Sequence, residues 1–184
     1  GFPLVVALSG WSKQGGFELF LRVCARVAEL WDLVKDAGQD FGIGPGAPND
    51  AERLESGLIS YGADMRLQIH RANPFEMGLG KLVDLDGGFD FVGKNALARI
   101  AQDGPKRRHT GVIIAGDPTP PGHQVQIMSG DEKIGFVSEF AFSKRLGKTI
   151  GVGLIPSEFD PAASFDVQVD GTRYSAAQTS VPLL

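Results

Sequence analysis

Cysteine is almost absent: Cys24 is the only one in 184 residues. A lone thiol closes no internal disulfide, so no disulfide framework holds this fold. Histidine is nearly as scarce. His70, His109 and His123 lie far apart, and no Cys/His set has the spacing of metal ligands. Such thiol usage fits a reducing, cytoplasmic setting. An excess of positive charge is lacking as well, since 18 Lys and Arg face 22 Asp and Glu for a formal net charge of −4. That argues against nucleic acid as the main partner, because phosphate binding relies on clustered cations. No apolar run approaches the ~18 residues of a membrane-spanning helix. The N-terminus shows neither the basic region nor the cleavage site of a signal peptide. Glycine-rich nucleotide loops, a Walker loop and a G-x-S-x-G nucleophile elbow are all missing.

What is present is enough apolar residue, 42% of the chain, for a packed core. Residues 3–8 read as a buried strand that starts at once, the mark of a fragment or of a chain that pairs with another. Residues 17–21 alternate as a half-buried strand. Val23, Val27, Leu30, Trp31 and Val34 then recur at helical spacing, with Gly38 expected as a left-handed C-terminal cap. The stretch 41–48 is too rich in Gly and Pro for a regular element. Asn49, with Glu52 three residues on, predicts a capping box, and the helix is expected to run through Leu54, Leu58 and Tyr61 to Gly62. After an irregular link, Asn73-Pro74 predicts a turn, residues 75–79 a bend and 82–85 a strand. A short helix is expected over 93–101, with Ala96, Leu97 and Ile100 facing inward.

Gly104-Pro105 is the expected domain boundary. Beyond it, short apolar runs at 109–115, 124–128, 134–138, 150–154, 164–169 and 174–177 alternate with turn pairs such as Ser129-Gly130 and Asp170-Gly171. Evenly spaced short strands suggest an antiparallel barrel or sandwich. The expectation is therefore an α+β domain over 1–103 followed by a small all-β domain over 104–184.

The loop between the first two strands carries the chemistry. Trp11 offers a flat face, and Glu18 a carboxylate that can accept the paired N–H donors of an amidine-like edge. Two readings stay open from spacing alone: a pocket for a flat heterocycle, or a core Trp beside a solvated Glu. Arg53, in the first turn of its helix, either reaches a ligand carboxylate or pairs with Asp50 or Glu52 at the surface. Glu55 and Tyr61 read as structural, Tyr61 as a core aromatic. Asp84 and Asp86 read as a solvated face. The basic run 106–109 reads as a solvated linker rather than an anion site.

Taken in order, these segments form a known series. The stretch Ser9-Gly10-Trp11-Ser12-Lys13-Gln14-Gly15-Gly16-Phe17-Glu18 resembles the folate-loop signature of the glycine-cleavage T-protein (aminomethyltransferase) family. Residues 52–62, 73–79 and 91–97 are similar to that family's later segments, and 135–138 and 146–156 to its C-terminal barrel. Within the family, the SGWSKQGG loop and the Gly-Pro-Gly run into Glu52-Arg53-Leu54-Glu55 resemble the dimethylsulfoniopropionate demethylases. As in those enzymes, Pro48-Asn49-Asp50 replaces a segment that carries an Arg in many aminomethyltransferases. Phe20 stands where the demethylases have a Tyr near the sulfonium substrate.

The resemblance implies a tetrahydrofolate-dependent methyl or aminomethyl transferase, built as a three-part ring around a folate channel. Trp11, Glu18 and Arg53 would be cofactor-binding residues and Phe20 a substrate-binding one, with no catalytic residue in this chain and no metal. The implied partners are a small methyl donor and an N-terminal half of the same enzyme, with neither nucleic acid nor membrane involved. The isolated chain is expected to be inactive. The alternative is a non-catalytic folate-binding or assembly module related to the T-like region of sarcosine- and dimethylglycine-oxidising enzymes.

Overall fold

A computed structural model describes residues 1–10, 15–47, 49–65 and 71–183. Strands β1 (Leu4–Ala7) and β2 (Glu18–Leu21) pair antiparallel, with Leu4 opposite Leu21 and Ala7 opposite Glu18. Arg26 pins the entry to β1, donating to the carbonyl of Gly1 and lying 4.2 Å over the Phe2 ring. The expectation of a buried first strand fails. Among the described residues β1 and β2 pair only with each other, and Val5 and Val6 stay exposed.

Helix α1 (Val27–Ala37) follows a 3-10 turn. Its apolar stripe is open too: Leu30 is the buried residue, whereas Trp31 is 60% exposed. Gly38 is not the left-handed cap that its position suggested. Its φ is −91°, and the chain continues through a second 3-10 turn to Gly42, which takes the left-handed conformation at φ 67°. Gly38 is small for another reason: a Cβ there would lie 2.2 Å from the side chain of Ile43.

Helix α2 (Asp50–Glu55) starts as expected, with the Asn49 side chain accepting the Glu52 N–H. It ends one and a half turns later, not at Gly62. Gly57 takes φ +66°, and a side chain there would run into Val181. Tyr61 is consequently not a core aromatic on a helix. It is 70% exposed, in an isolated bridge to Met65.

The Asn73-Pro74 turn forms as expected, Asn73 Oδ1 accepting the N–H groups of Phe75 and Glu76. No strand follows at 82–85. A 3-10 turn covers Gly80–Leu82, and Asp84 instead accepts the Gly87 N–H in an exposed loop. Helix α3 (Lys94–Asp103) buries none of its residues: Ala96 is exposed, and Leu97 and Ile100 are half-buried rather than inward.

The remaining strands are β3 (Arg107–Ile114), β4 (Val125–Ser129), β5 (Glu132–Ser143), β6 (Lys148–Pro156), β7 (Phe165–Val169) and β8 (Thr172–Thr179). They close into an antiparallel barrel in the order β3-β6-β5-β4-β7-β8, β3 pairing with both β6 and β8. Closure removes the free edges that an open sheet would leave. Ile127, Val137, Phe140, Val112 and Val167 fill the interior. Alternation along β7 shows the pleat directly, Phe165, Val167 and Val169 pointing in.

Strand β6 is buried from Thr149 to Ile155 on both faces. Its inner face lines the barrel. Its outer face, Ile150 and Val152, packs on Leu54 of α2 and on the tail residues Val181 and Leu183. A strand covered on both sides reads as a continuous apolar run, as Ile150–Ile155 does. The basic run is no solvated linker. Arg107 binds Glu76, and Arg108 donates to the carbonyls of Pro156, Ser157 and Phe159 and to Gln178.

Candidate functional site

Glu18 opens β2 as an exposed side chain. Strand alternation puts Glu18 and Phe20 on one face, together with their cross-strand partners Ala7 and Val5. The result is a carboxylate at the end of a flat apolar strip, with Phe20 56% exposed. Ser9 Oγ donates to Glu18 Oε2, and no ion pair to Glu18 is recorded among the described residues. Trp11 lies outside the described residues. A charged acceptor at the edge of an apolar strip suits a flat heterocycle with paired donors on one side.

The structure does not bring Arg53 to this face. Arg53 is 0% exposed, so of the two roles open to it the pairing with Asp50 is the one seen, made from the interior rather than at the surface. Nη1 donates to Asp64 Oδ2 at 2.8 Å and to the Leu58 carbonyl at 2.9 Å, while Nη2 donates to Glu139 Oε2 at 2.8 Å. Asp50 stands 3.7 Å from Nε. Asp64 also accepts the Ser60 N–H and the Ser138 hydroxyl. Arg53 is thus a buried clamp between α2, the 58–64 turn and strand β5. Glu55 is structural as expected, buried and accepting from Ser143 Oγ at 2.5 Å.

Electrostatics around the clamp follow from its composition. Burial pushes the Glu139 carboxyl above its ordinary range; Asp50 and Asp64 add to this, and Arg53 opposes it. Burial also lowers the His109 imidazole, with Asp64 opposing and Arg53 reinforcing. Its Nε2 is buried with no hydrogen-bond partner among the described residues. Burial would raise Glu76, but Arg107 and the Asn73 N–H outweigh that and hold it below the usual range.

His109 gives a testable pH dependence. Its folded value is depressed, so its contribution is complete above the unfolded value of 6.5 and is lost as pH falls through the folded value. Melting temperature is expected to fall between about pH 7 and pH 5, and less steeply in His109→Gln. Parallel curves for the two proteins would refute the assignment to His109.

Sequence reasoning missed Asp64, Ser138 and Glu139. The one available signal was a charged residue inside an otherwise apolar strand, at Glu139. Ser9 stood within the recognised loop, but local spacing does not reveal its acceptor. Among the described residues no group of His, Cys, Asp and Glu is placed to hold a metal ion, and no helix is long and apolar enough to cross a membrane.

Residues 107–184 match the model of the glycine cleavage T-protein C-terminal barrel domain, and residues 1–87 that of the GCVT N-terminal domain. The chain is 37% identical over 175 residues to the dimethylsulfoniopropionate demethylase DmdA of Ruegeria pomeroyi, covering 94% of this chain and 47% of that protein. It is 34% identical over 161 residues to an aminomethyltransferase of Caldanaerobacter subterraneus, covering 86% and 41%. The crystal structure of the glycine cleavage system aminomethyltransferase T from Bartonella henselae superposes with a TM-score of 0.81 at 20% identity, over 97% of this chain and 49% of that one. The chain therefore spans about half the length of the curated relatives it matches. The two family models leave out only the link 88–106, and their order along the chain is that of the two structural parts: the chain belongs to the glycine cleavage T-protein family.

Proposed function

We propose that this chain forms the folate-side wall and C-terminal barrel of a tetrahydrofolate-dependent methyl or aminomethyl transferase of the dimethylsulfoniopropionate demethylase type. The observation that carries this reading is Glu18, an exposed carboxylate that accepts from Ser9 and has no cation partner among the described residues, on the same face as Phe20. In this reading Glu18 accepts the paired donors of the pterin edge and Trp11 covers the ring. Phe20 lines the approach of the methyl donor and presents an apolar face where a hydroxyl would compete for water. Tetrahydrofolate, when bound, supplies the amine that receives the one-carbon group. This chain's contribution is binding, orientation and the exclusion of water.

The open faces of β1, β2, α1 and α3 are, on the same reading, covered by the rest of a longer protein, with the domain boundary at Gly104-Pro105. Ten residues of helix and a two-stranded sheet are marginal in water without such packing.

The test is titration of the full-length protein with tetrahydrofolate. Glu18→Gln keeps the shape and removes the charge, and is expected to weaken binding about tenfold to a hundredfold, the effect of losing a charge-assisted two-pronged bond. Wild-type affinity in that variant would remove the pterin role from Glu18.

A further inference from the structure

An exposed glutamate usually either samples several rotamers or is held by a cation. Glu18 does neither. Ala7 stands directly opposite it at the end of β1, and Ser9 follows two residues later, where the chain leaves the strand. That placement lets the Ser9 hydroxyl reach across and donate to Glu18 Oε2. No second hydrogen bond of the Ser9 side chain is recorded among the described residues.

The chemistry of this pairing is specific. A carboxylate offers about four lone-pair directions, of which one serine hydroxyl occupies one. Among the described residues no other side-chain donor reaches either oxygen, which leaves directions for two-pronged acceptance from a ligand. An arginine or lysine in the same place would also orient the group, but it would offset the charge that a ligand donor needs. A neutral donor orients without neutralising. Ordering the side chain in advance removes that cost from the binding step.

We propose that Ser9 is a positioning residue for the ligand-binding carboxylate of Glu18. It holds the carboxylate toward the Phe20 face before the pterin arrives. This rests on the folate reading above, and the experiment separates the two.

Tetrahydrofolate is titrated into the full-length protein as wild type, Ser9→Ala, Ser9→Thr, Glu18→Gln and the Ser9→Ala/Glu18→Gln double variant. Ser9→Ala is expected to bind about five- to tenfold more weakly, the upper part of what an ordinary hydrogen bond contributes, since the lost bond acts on the ligand only through Glu18. Ser9→Thr, which restores the hydroxyl, should stay within about twofold of wild type. In the Glu18→Gln background the serine substitution should add nothing, because the group it orients has lost its charge. If Ser9→Ala binds as wild type while Glu18→Gln is weakened, the positioning role is overturned and the folate reading stands. If Glu18→Gln binds as wild type, both fall. Equal weakening by Ala and Thr, or the same factor with and without the Glu18 charge, would mean that Ser9 acts through the loop and not through the carboxylate, which also overturns the proposal.

Discussion

Arg53→Ala is expected to lower the unfolding free energy by about 3–5 kcal/mol, the cost of breaking a buried ion pair by removing one partner. The argument turns on what is left behind. Asp64 is buried and Glu139 half-buried, and both point at the vacated space. Two carboxylates would then face each other with Asp50 nearby and no cation between them. The Leu58 carbonyl loses its donor as well.

The size of this effect says nothing about what the intact clamp contributes over an apolar contact, since desolvating three charges offsets much of their attraction. The Arg53→Met/Asp64→Asn/Glu139→Gln triple variant separates the two quantities. It removes the charges of Arg53, Asp64 and Glu139, leaves the exposed Asp50 to water, and is expected to lie within about 1.5 kcal/mol of wild type, far above the single variant. Urea unfolding followed by circular dichroism measures both. A triple variant as unstable as Arg53→Ala would show that shape or hydrogen bonding, not charge balance, sets the junction.

Arg53 also shows where sequence reasoning loses its grip. Placing it on a helix after Asn49 was correct, because capping is a local event between residues three apart. Neither of the two roles left open for it included full burial. Charged residues are almost never fully buried unless paired, and the two carboxylates that accept its closest ion-pair bonds lie 11 and 86 residues away along the chain. Strand β5 illustrates the same limit. Its period-2 reading holds to Val137 and then fails, since the register shifts between Val137 and Glu139. Beyond that irregularity Phe140 points inward three residues after Val137 rather than two. The second half of β5 was therefore invisible to an alternation count.

By contrast, Asp170-Gly171 marked its hairpin unambiguously, with φ of 46° and 82°, because tight turns demand particular residues at particular places. The barrel as a class was legible from such turns, and so was the α+β part before it. The extent of burial in β1, α1 and α3 was not. An amphipathic pattern records that a face is meant to be covered, and it is silent on which polypeptide covers it. Glu18 and Phe20 could be named from the recognised loop. Their common face, and the hydroxyl that fixes one of them, needed the pairing of β1 with β2.

Gly153→Ala is expected to destabilise the barrel by about 3 kcal/mol or more, at the upper end of overpacking penalties. Position 153 lies in β6, opposite Val137 on one side and Thr110 on the other. Its backbone is not in the left-handed region, so conformational freedom is not the reason for glycine here. A Cβ would stand 2.2 Å from the Phe136 carbonyl oxygen and 3.0 Å from Val137 Cα. Both are backbone atoms of a paired strand, which no rotamer change can move aside. Gly135 meets the same obstacle from the other strand, its Cβ falling 2.3 Å from the Leu154 carbonyl oxygen. The β5–β6 seam is therefore closed to side chains just ahead of the irregularity that presents Glu139 to Arg53. Forcing the seam apart should displace Glu139, so Gly153→Ala and Arg53→Ala should be less than additive when combined. Gly88→Ala is the control: it has open space around it and no positive φ, and it should change stability by less than about 0.5 kcal/mol. Full additivity of the two junction variants would mean that the seam and the clamp are independent. The expected shortfall would tie the barrel's tightest strand contact to the buried charge that holds α2 against it.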